Sequence, residues 1–259
     1  MPIIDTTINK FIDAELIREN QEREAKHESS GKLSASMLYQ PVRFQLLKVL
    51  GVPRKPFDAY TLAKFKRGVD VENWFVTQLR GAGVLVEDEE TLTANGLQVT
   101  EGQPFAEYRD AIGYVDSVID TDKMQAKVGI IPNEIKSVTN AKVRRINKTG
   151  VDWHYKIQAA MYALAMGSEH YAVTIVSAED LRAQTHIFRT REMKRDVDKA
   201  ISEFMKAQEN FKNDRTLPAF KANEQVSWTK DLKYAMFLPE WATNPDSWAI
   251  KEMERLGVI

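Results

Sequence analysis

The sequence predicts a mixed α/β fold of three layers, α/β/α, with helices on both faces of a central mixed β-sheet and a helical region in front. Two observations predict it. Apolar residues recur with helical spacing as far as Gly83, then alternate with a period of two as far as Val138, and the two patterns take turns from there to Asp214. Composition agrees: 43% of the 259 residues are hydrophobic and 28% are charged, enough apolar material to fill one large domain.

The elements follow in order. Asn9 to Glu28 favours helix, with a thin apolar stripe at Phe11, Ile12, Leu16 and Ile17, and "ESSGK" breaks it. In "LSASMLYQPVRFQLLKVLG", Ser34 or Ser36 can cap one helix and Gly51 can end a second. "VPRKPFD" is a loop, and "TLAKFKRGVDVENWFVTQLRGAG" is a long amphipathic helix ending near Gly81 and Gly83. "LTANGLQVTEG", "FAEYRDAIGYVDSVIDTD" and "KVGIIPNEIKSVT" read as three strands separated by Gly, Asn and Asp turns. "AKVRRINKTG" reads as a basic loop. The helix "VDWHYKIQAAMYALAMG" stops at Gly167, two strands follow in "HYAVTIVSA" and "AQTHIFRT", and "EMKRDVDKAISEFMKAQENFKND" is a further helix. The chain therefore divides into an N-terminal helical region (1–59), an α/β core (60–212) and a C-terminal extension (213–259). The extension carries Trp228, Trp241 and Trp248 and reads as a tail docked on the core.

Several classes of chemistry are excluded. There is no cysteine, hence no disulfide, no thiolate zinc site, no iron–sulfur cluster and no cysteine nucleophile. His27, His154, His170 and His186 are scattered, so a metal site would use oxygen ligands, which suits Mg²⁺ or Mn²⁺. No G-x-x-x-x-G-K-[ST] occurs and no ATP is implied. No apolar run is long enough to span a membrane and the N-terminus lacks a basic start followed by an apolar core, so no membrane partner and a cytoplasmic home are expected. The oligomeric state leaves no signature. Net charge is −1, but its distribution is uneven: an acidic stretch from Val84 to Asp122 lies between basic blocks at 41–67 and 132–150. That pattern suits a cation site with an anionic substrate beside it.

The chemistry gathers around "NEIK". Glu134 and Lys136 are two apart and share a strand face, flanked by Ile130, Ile131, Ile135 and Val138. A surface ion pair would account for them alone. Asp116, on the preceding strand in "AIGYVDSVID", changes the balance, because paired strands bring it to the same edge. Two carboxylates there can hold a divalent cation, and a lysine beside it can orient or deprotonate a water or neutralise developing charge. Asp110, Asp120 and Asp122 read as turn residues, with Asp120 the best spare ligand.

This D…E-x-K arrangement resembles the PD-(D/E)XK nuclease superfamily. "YKIQAAMYAL" places Gln158 and Tyr162 on one helical face and resembles the Q-x-x-x-Y helix of its RecB-like branch. "KRGVDVENWF" places Glu72 four residues after Gly68 and resembles the G-x-x-x-E helix of lambda-exonuclease-like members; many RecB-like members carry histidine there. "SASMLYQPVRFQ" resembles the segment that opens many RecB-like nucleases. The likeness spans roughly Leu33 to Tyr162. It implies a restriction-endonuclease-like core and a metal-dependent DNA nuclease that hydrolyses phosphodiester bonds from DNA ends, as an exonuclease of phage or bacterial recombination or repair. It implies Glu72, Asp116, Glu134 and the carbonyl of Ile135 as metal ligands, Lys136 as the catalytic lysine, and Gln158 and Tyr162 near the DNA. DNA is the implied partner, and a recombination or single-strand-binding protein a candidate second one. Arg144, Arg145 and Lys148 follow the E-x-K strand and are placed to meet phosphates, as is Arg43. For His154, helix packing and a phosphate contact stand level. Two other classes stay open: a catalytically inactive DNA-binding or interaction module with the same fold, and a two-carboxylate enzyme such as a glycosidase, which the lysine and the basic blocks disfavour.

Overall fold

The computed structural model describes residues 6–26, 30–51 and 56–218. The three tryptophans of the C-terminal extension and His27 lie outside them. Helix α1 (Thr7–Lys26) lies on α3 (Ala59–Gly81), and α2 (Val42–Val49) lies on α7 (Arg191–Asp214). Asp58 starts α3 by accepting the Thr61 N–H at 2.7 Å. Helix α6 (Trp153–Met166) buries residues on nearly every side, among them Ile157, Ala159, Ala160, Met161, Tyr162 and Ala163, as expected of an interior helix. Gly167 ends it in the left-handed region, at φ +64°. Helix α7 buries a single stripe: Met193, Val197, Ile201, Phe204 and Phe211.

The α/β class is as the sequence predicts, but the single central sheet is replaced by two four-stranded mixed sheets. The first has the order β1 (Leu33–Ser34), β4 (Ala111–Tyr114), β3 (Gln103–Tyr108), β2 (Gln98–Thr100), with β1 parallel to β4. The second has the order β5 (Ser117–Asp120), β6 (Ile130–Val138), β7 (His170–Ser177), β8 (Ala183–Arg189), with β6 parallel to β7. The run "FAEYRDAIGYVDSVIDTD" is thus three strands, not one: β3 and β4 form an antiparallel hairpin, and "AIGYVDSVID" divides again into β4 and β5. Val115 still donates its N–H to Pro104 in the first sheet, while Ser117 already pairs with Asn133 in the second. Asp116 is the crossing point.

The layers are legible in what packs where. Val71 and Phe75 of α3 cover Ile135 and Val176 on one face of the second sheet. Ile157 and Met161 of α6 share the main core with Val138, Val173 and Ile175 on the other. On the α3 face, a buried polar ladder ties all four strands together. Asn133 donates to Ser117 Oγ at 2.9 Å, Thr174 donates to Asn133 Oδ1 at 2.7 Å, and the Thr174 and Thr185 hydroxyls are 2.9 Å apart. Every member is satisfied by another, which specifies the register under the site.

Two local readings are corrected. "AKVRRINKTG" is not a loop but helix α5 (Asn140–Thr149). Thr139 caps it, Ile146 and Val143 turn inward, and Gly150 ends it. Two apolar residues among so many charges left its period hard to see. The start of "LTANGLQVTEG" is helical as well: α4 (Glu89–Ala94) begins at Asp88, which accepts the Thr91 N–H at 2.8 Å.

Candidate active site

The two sheets part at Asp116 and leave a fork. Strand β5 runs antiparallel to β6 only from Ser117↔Asn133 onward. Past Asn133, β6 has β7 on one side and, among the described residues, no strand on the other. The carboxylate of Asp116 fills that side: the Ile135 N–H donates to its Oδ2 at 2.7 Å. In a strand, a residue's N–H and C=O point to the same neighbour. The Ile135 carbonyl therefore points into the fork beside Asp116.

Glu134 and Lys136 pair with Val173 and Ile175 on β7 and share the α6 face of the sheet. Glu134 is completely buried, and neither of its oxygens accepts a hydrogen bond of regular geometry. Lys136 Nζ makes an ion pair with Glu134 Oε1, its side chain 26% exposed. Glu72 comes from α3, half-buried, close enough to sense Asp116 and Lys136. Tyr162 closes the fork from α6 at 2% exposure, and Gln158 donates to its hydroxyl at 3.2 Å. Tyr162 therefore supports the cluster from beneath; Gln158 is the more accessible of the two.

The electrostatics are those of crowded acids. Burial, then repulsion from Asp116, pushes Glu134 up to about 8 against the pull of Lys136. Burial and Asp116 push Glu72 up to about 7. Burial also raises Asp116, with Lys136 and the Ile135 N–H opposing it. Burial alone would lower Lys136, but Glu134 and Asp116 outweigh it and hold the ammonium above its ordinary range. One cation thus serves three carboxyls, two of whose oxygens are buried without a hydrogen bond. An all-oxygen donor set of this kind fits a hard divalent cation. Among the described residues, however, no three Asp, Glu or His side chains close into a ready metal cage. The fork gathers the acids, and Lys136 engages Glu134 from one side.

The remaining predicted residues are sorted by their partners. On α5, Lys142 and Arg145 both bind Asp152, the latter at 2.6 Å. Arg144 and Lys148, one helical turn apart and exposed, make no ion pair among the described residues. Arg43 is 5% exposed and donates to the Pro218 carbonyl at 2.6 Å, so it belongs to the interior and not to a phosphate-facing surface. Asp120 caps a turn by accepting the Asp122 N–H and pairs with Lys123, which occupies it away from the fork. His154 sits between the rings of Tyr39 and Tyr155, and burial lowers its pKa. The sequence reading passed over Tyr155, whose ring lies 5.8 Å from Lys136 Nζ and 5.4 Å from Lys142 Nζ. Its position three before Gln158, on the same side of α6, was the available signal.

Gly113 was also passed over. A Cβ there would lie 3.0 Å from Ala35 Cβ and 3.1 Å from both Cε1 and the hydroxyl of Tyr162. Gly113→Ala is expected to push Tyr162 out of place and destabilise the fold by about 1–3 kcal/mol. Thermal denaturation checks this; an unchanged melting temperature refutes the close fit.

No protein-family model and no curated protein matches the chain. Solved structures resemble it at a distance, among them the following three. The structure named SSO0001 is 16% identical over 76% of this chain and 86% of its own, with a TM-score of 0.44. An alkaline exonuclease from Laribacter hongkongensis, LHK-Exo, is 13% identical over 72% and 94%, with a TM-score of 0.41. The same enzyme in complex with dAMP is 14% identical over 71% and 93%, with a TM-score of 0.40. At these scores the likeness decides nothing about chemistry, which rests on the fork itself. No described helix is long and apolar enough to cross a membrane.

Proposed function

We propose that this chain is a Mg²⁺- or Mn²⁺-dependent deoxyribonuclease that hydrolyses phosphodiester bonds from DNA ends. The observation that carries the reading is the fork. Asp116 and Glu134 meet there with Lys136 where β6 has no strand partner beyond Asn133 among the described residues, and Glu72 approaches from the opposite layer. Asp116, Glu134, Glu72 and the Ile135 carbonyl would hold the cation. When bound, it lowers the pKa of a water and stabilises charge on the phosphate. Lys136 orients the attacking water and offsets the charge that develops on the phosphate oxygens. Tyr162 and Gln158 keep the floor rigid, and Arg144 and Lys148 meet the backbone phosphates. Recombination or repair in a bacterial or phage-infected cytoplasm is a setting such an enzyme fits.

The test compares end-labelled linear DNA with closed circular DNA, with either metal and with chelator. Loss of linear DNA alone, stopped by chelator, is the expected result. Cutting of circles turns the reading to an endonuclease. Binding without hydrolysis turns it to an inactive DNA-binding module.

A further inference from the structure

Three aromatic rings beside Lys136 have no part in the reaction above. Tyr39 follows the turn after β1, and His154 and Tyr155 lie in the first turn of α6. Their rings form one chain, with Tyr39 and His154 centroids 5.1 Å apart and His154 and Tyr155 centroids 4.1 Å apart. All three are half-buried: Tyr39 and Tyr155 lean on the main core and keep part of their surface in solvent.

Their surroundings say what such a surface can hold. The Tyr155 ring faces two ammoniums, those of Lys136 and Lys142. Arg144 and Lys148, on the same helix as Lys142, carry exposed charge without an ion pair among the described residues. Cations that track a phosphate backbone, next to aromatic rings with a wet side, are the two components of a site for unpaired nucleic acid. The cations take the phosphates and the rings take a base. A base inside a duplex has both faces covered by its neighbours and cannot use such a surface.

We propose that Tyr39, His154 and Tyr155 form a stacking shelf for an unpaired nucleobase next to the Lys136 site, so that single-stranded ends are held in preference to blunt duplex ends. The proposal rests on the nuclease reading and names the strand type that the same site prefers.

The test is binding of an internally labelled single-stranded oligothymidine, with Ca²⁺ in place of Mg²⁺ or Mn²⁺. A second strand of equal length carries abasic residues at the three positions nearest each end, and a blunt duplex is the third ligand. Wild type is expected to bind the intact strand about 10-fold more tightly than the abasic one. Tyr155→Ala loses about 10-fold on the intact strand and nothing on the abasic strand, whereas Tyr155→Phe stays within about 2-fold. The slope of log affinity against log salt stays the same in Tyr155→Ala, because no phosphate contact is lost. Tyr155→Leu, which keeps the packing against the core, behaves like Tyr155→Ala. Equal losses on both strands, or a wild type that ignores the missing bases, overturn the shelf. If linear DNA is degraded while intact and abasic strands bind alike, the shelf falls and the nuclease stands. If wild type binds neither strand nor duplex, both fall.

Discussion

Lys136→Ala is expected to lower kcat on linear DNA by roughly 100- to 1000-fold while leaving KM within a few-fold. The Lys136 side chain is partly exposed beside a buried acidic cluster, and in the proposed reaction its ammonium offsets the charge that develops on the attacked phosphate. Its contribution is thus made in the transition state more than in the bound substrate, and its loss falls on kcat. The substitution also leaves Glu134 buried without its ion pair. Some stability is lost at pH 8, on the order of 3 kcal/mol if the carboxylate stays ionised, less if it takes up a proton. Lys136→Gln keeps the reach of the side chain and separates the two effects: it should fold with a smaller loss and be as inactive. Hydrolysis that survives either substitution removes Lys136 from the reaction and reopens the inactive-module reading.

The second large effect is on stability. In chelator, the melting temperature should fall by about 5–10 °C between pH 5.5 and 8.5. The direction follows from linkage. Glu134 and Glu72 have folded pKa values raised to about 8 and about 7. A raised carboxyl contributes stability that is fully present below its unfolded pKa and is lost as pH rises through the folded value. For the coupled cluster the loss is on the order of 2–4 kcal/mol. The carboxylates whose pKa values are depressed, such as Asp152 and Asp198, act the other way, but their contribution is complete above their unfolded pKa and does not change in this window, whereas His154 and His186, whose pKa values burial lowers, oppose the loss over its acid part and offset some of it. Mg²⁺ or Mn²⁺ should restore more stability at pH 8.5 than at pH 5.5, since protons compete for the same oxygens. Glu134→Gln should flatten the pH slope, raise the melting temperature in chelator at pH 8.5, and remove most of the metal-induced gain. Differential scanning calorimetry of the two proteins with and without metal decides it. A melting temperature that climbs toward pH 8.5 in chelator, or an equal metal gain in Glu134→Gln, sinks the claim that these acids are a cation site.

Much of the architecture could be read without coordinates. The alternation in "IIPNEIKSV" places Glu134 and Lys136 on one face, and the register against Val173 and Ile175 shows that face. The 3.6-residue period of α7 and the glycine after α6 mark those helices to within a residue or two. Each of these signals depends on residues within a turn or two of one another, where spacing and capping act.

The fork could not be read this way. Asp116 looked like a mid-strand residue because Ala111 to Asp120 alternates as one strand would. Only the competition between Pro104 in one sheet and Asn133 in the other breaks that run, and the bond that seats the carboxylate joins residues nineteen apart. Charge was no better guide: Arg43, Arg145 and Lys148 look alike in sequence, yet one is interior, one is held by Asp152 and one is open to solvent. The sequence by itself determined the long helices, the strands β6 to β8, their order and which of their side chains share a face, since those follow from local period and local hydrogen bonds. The tertiary structure alone decided where two sheets separate, which acids crowd there and which cations remain uncommitted, because burial and pairing across the chain are set only when distant segments pack.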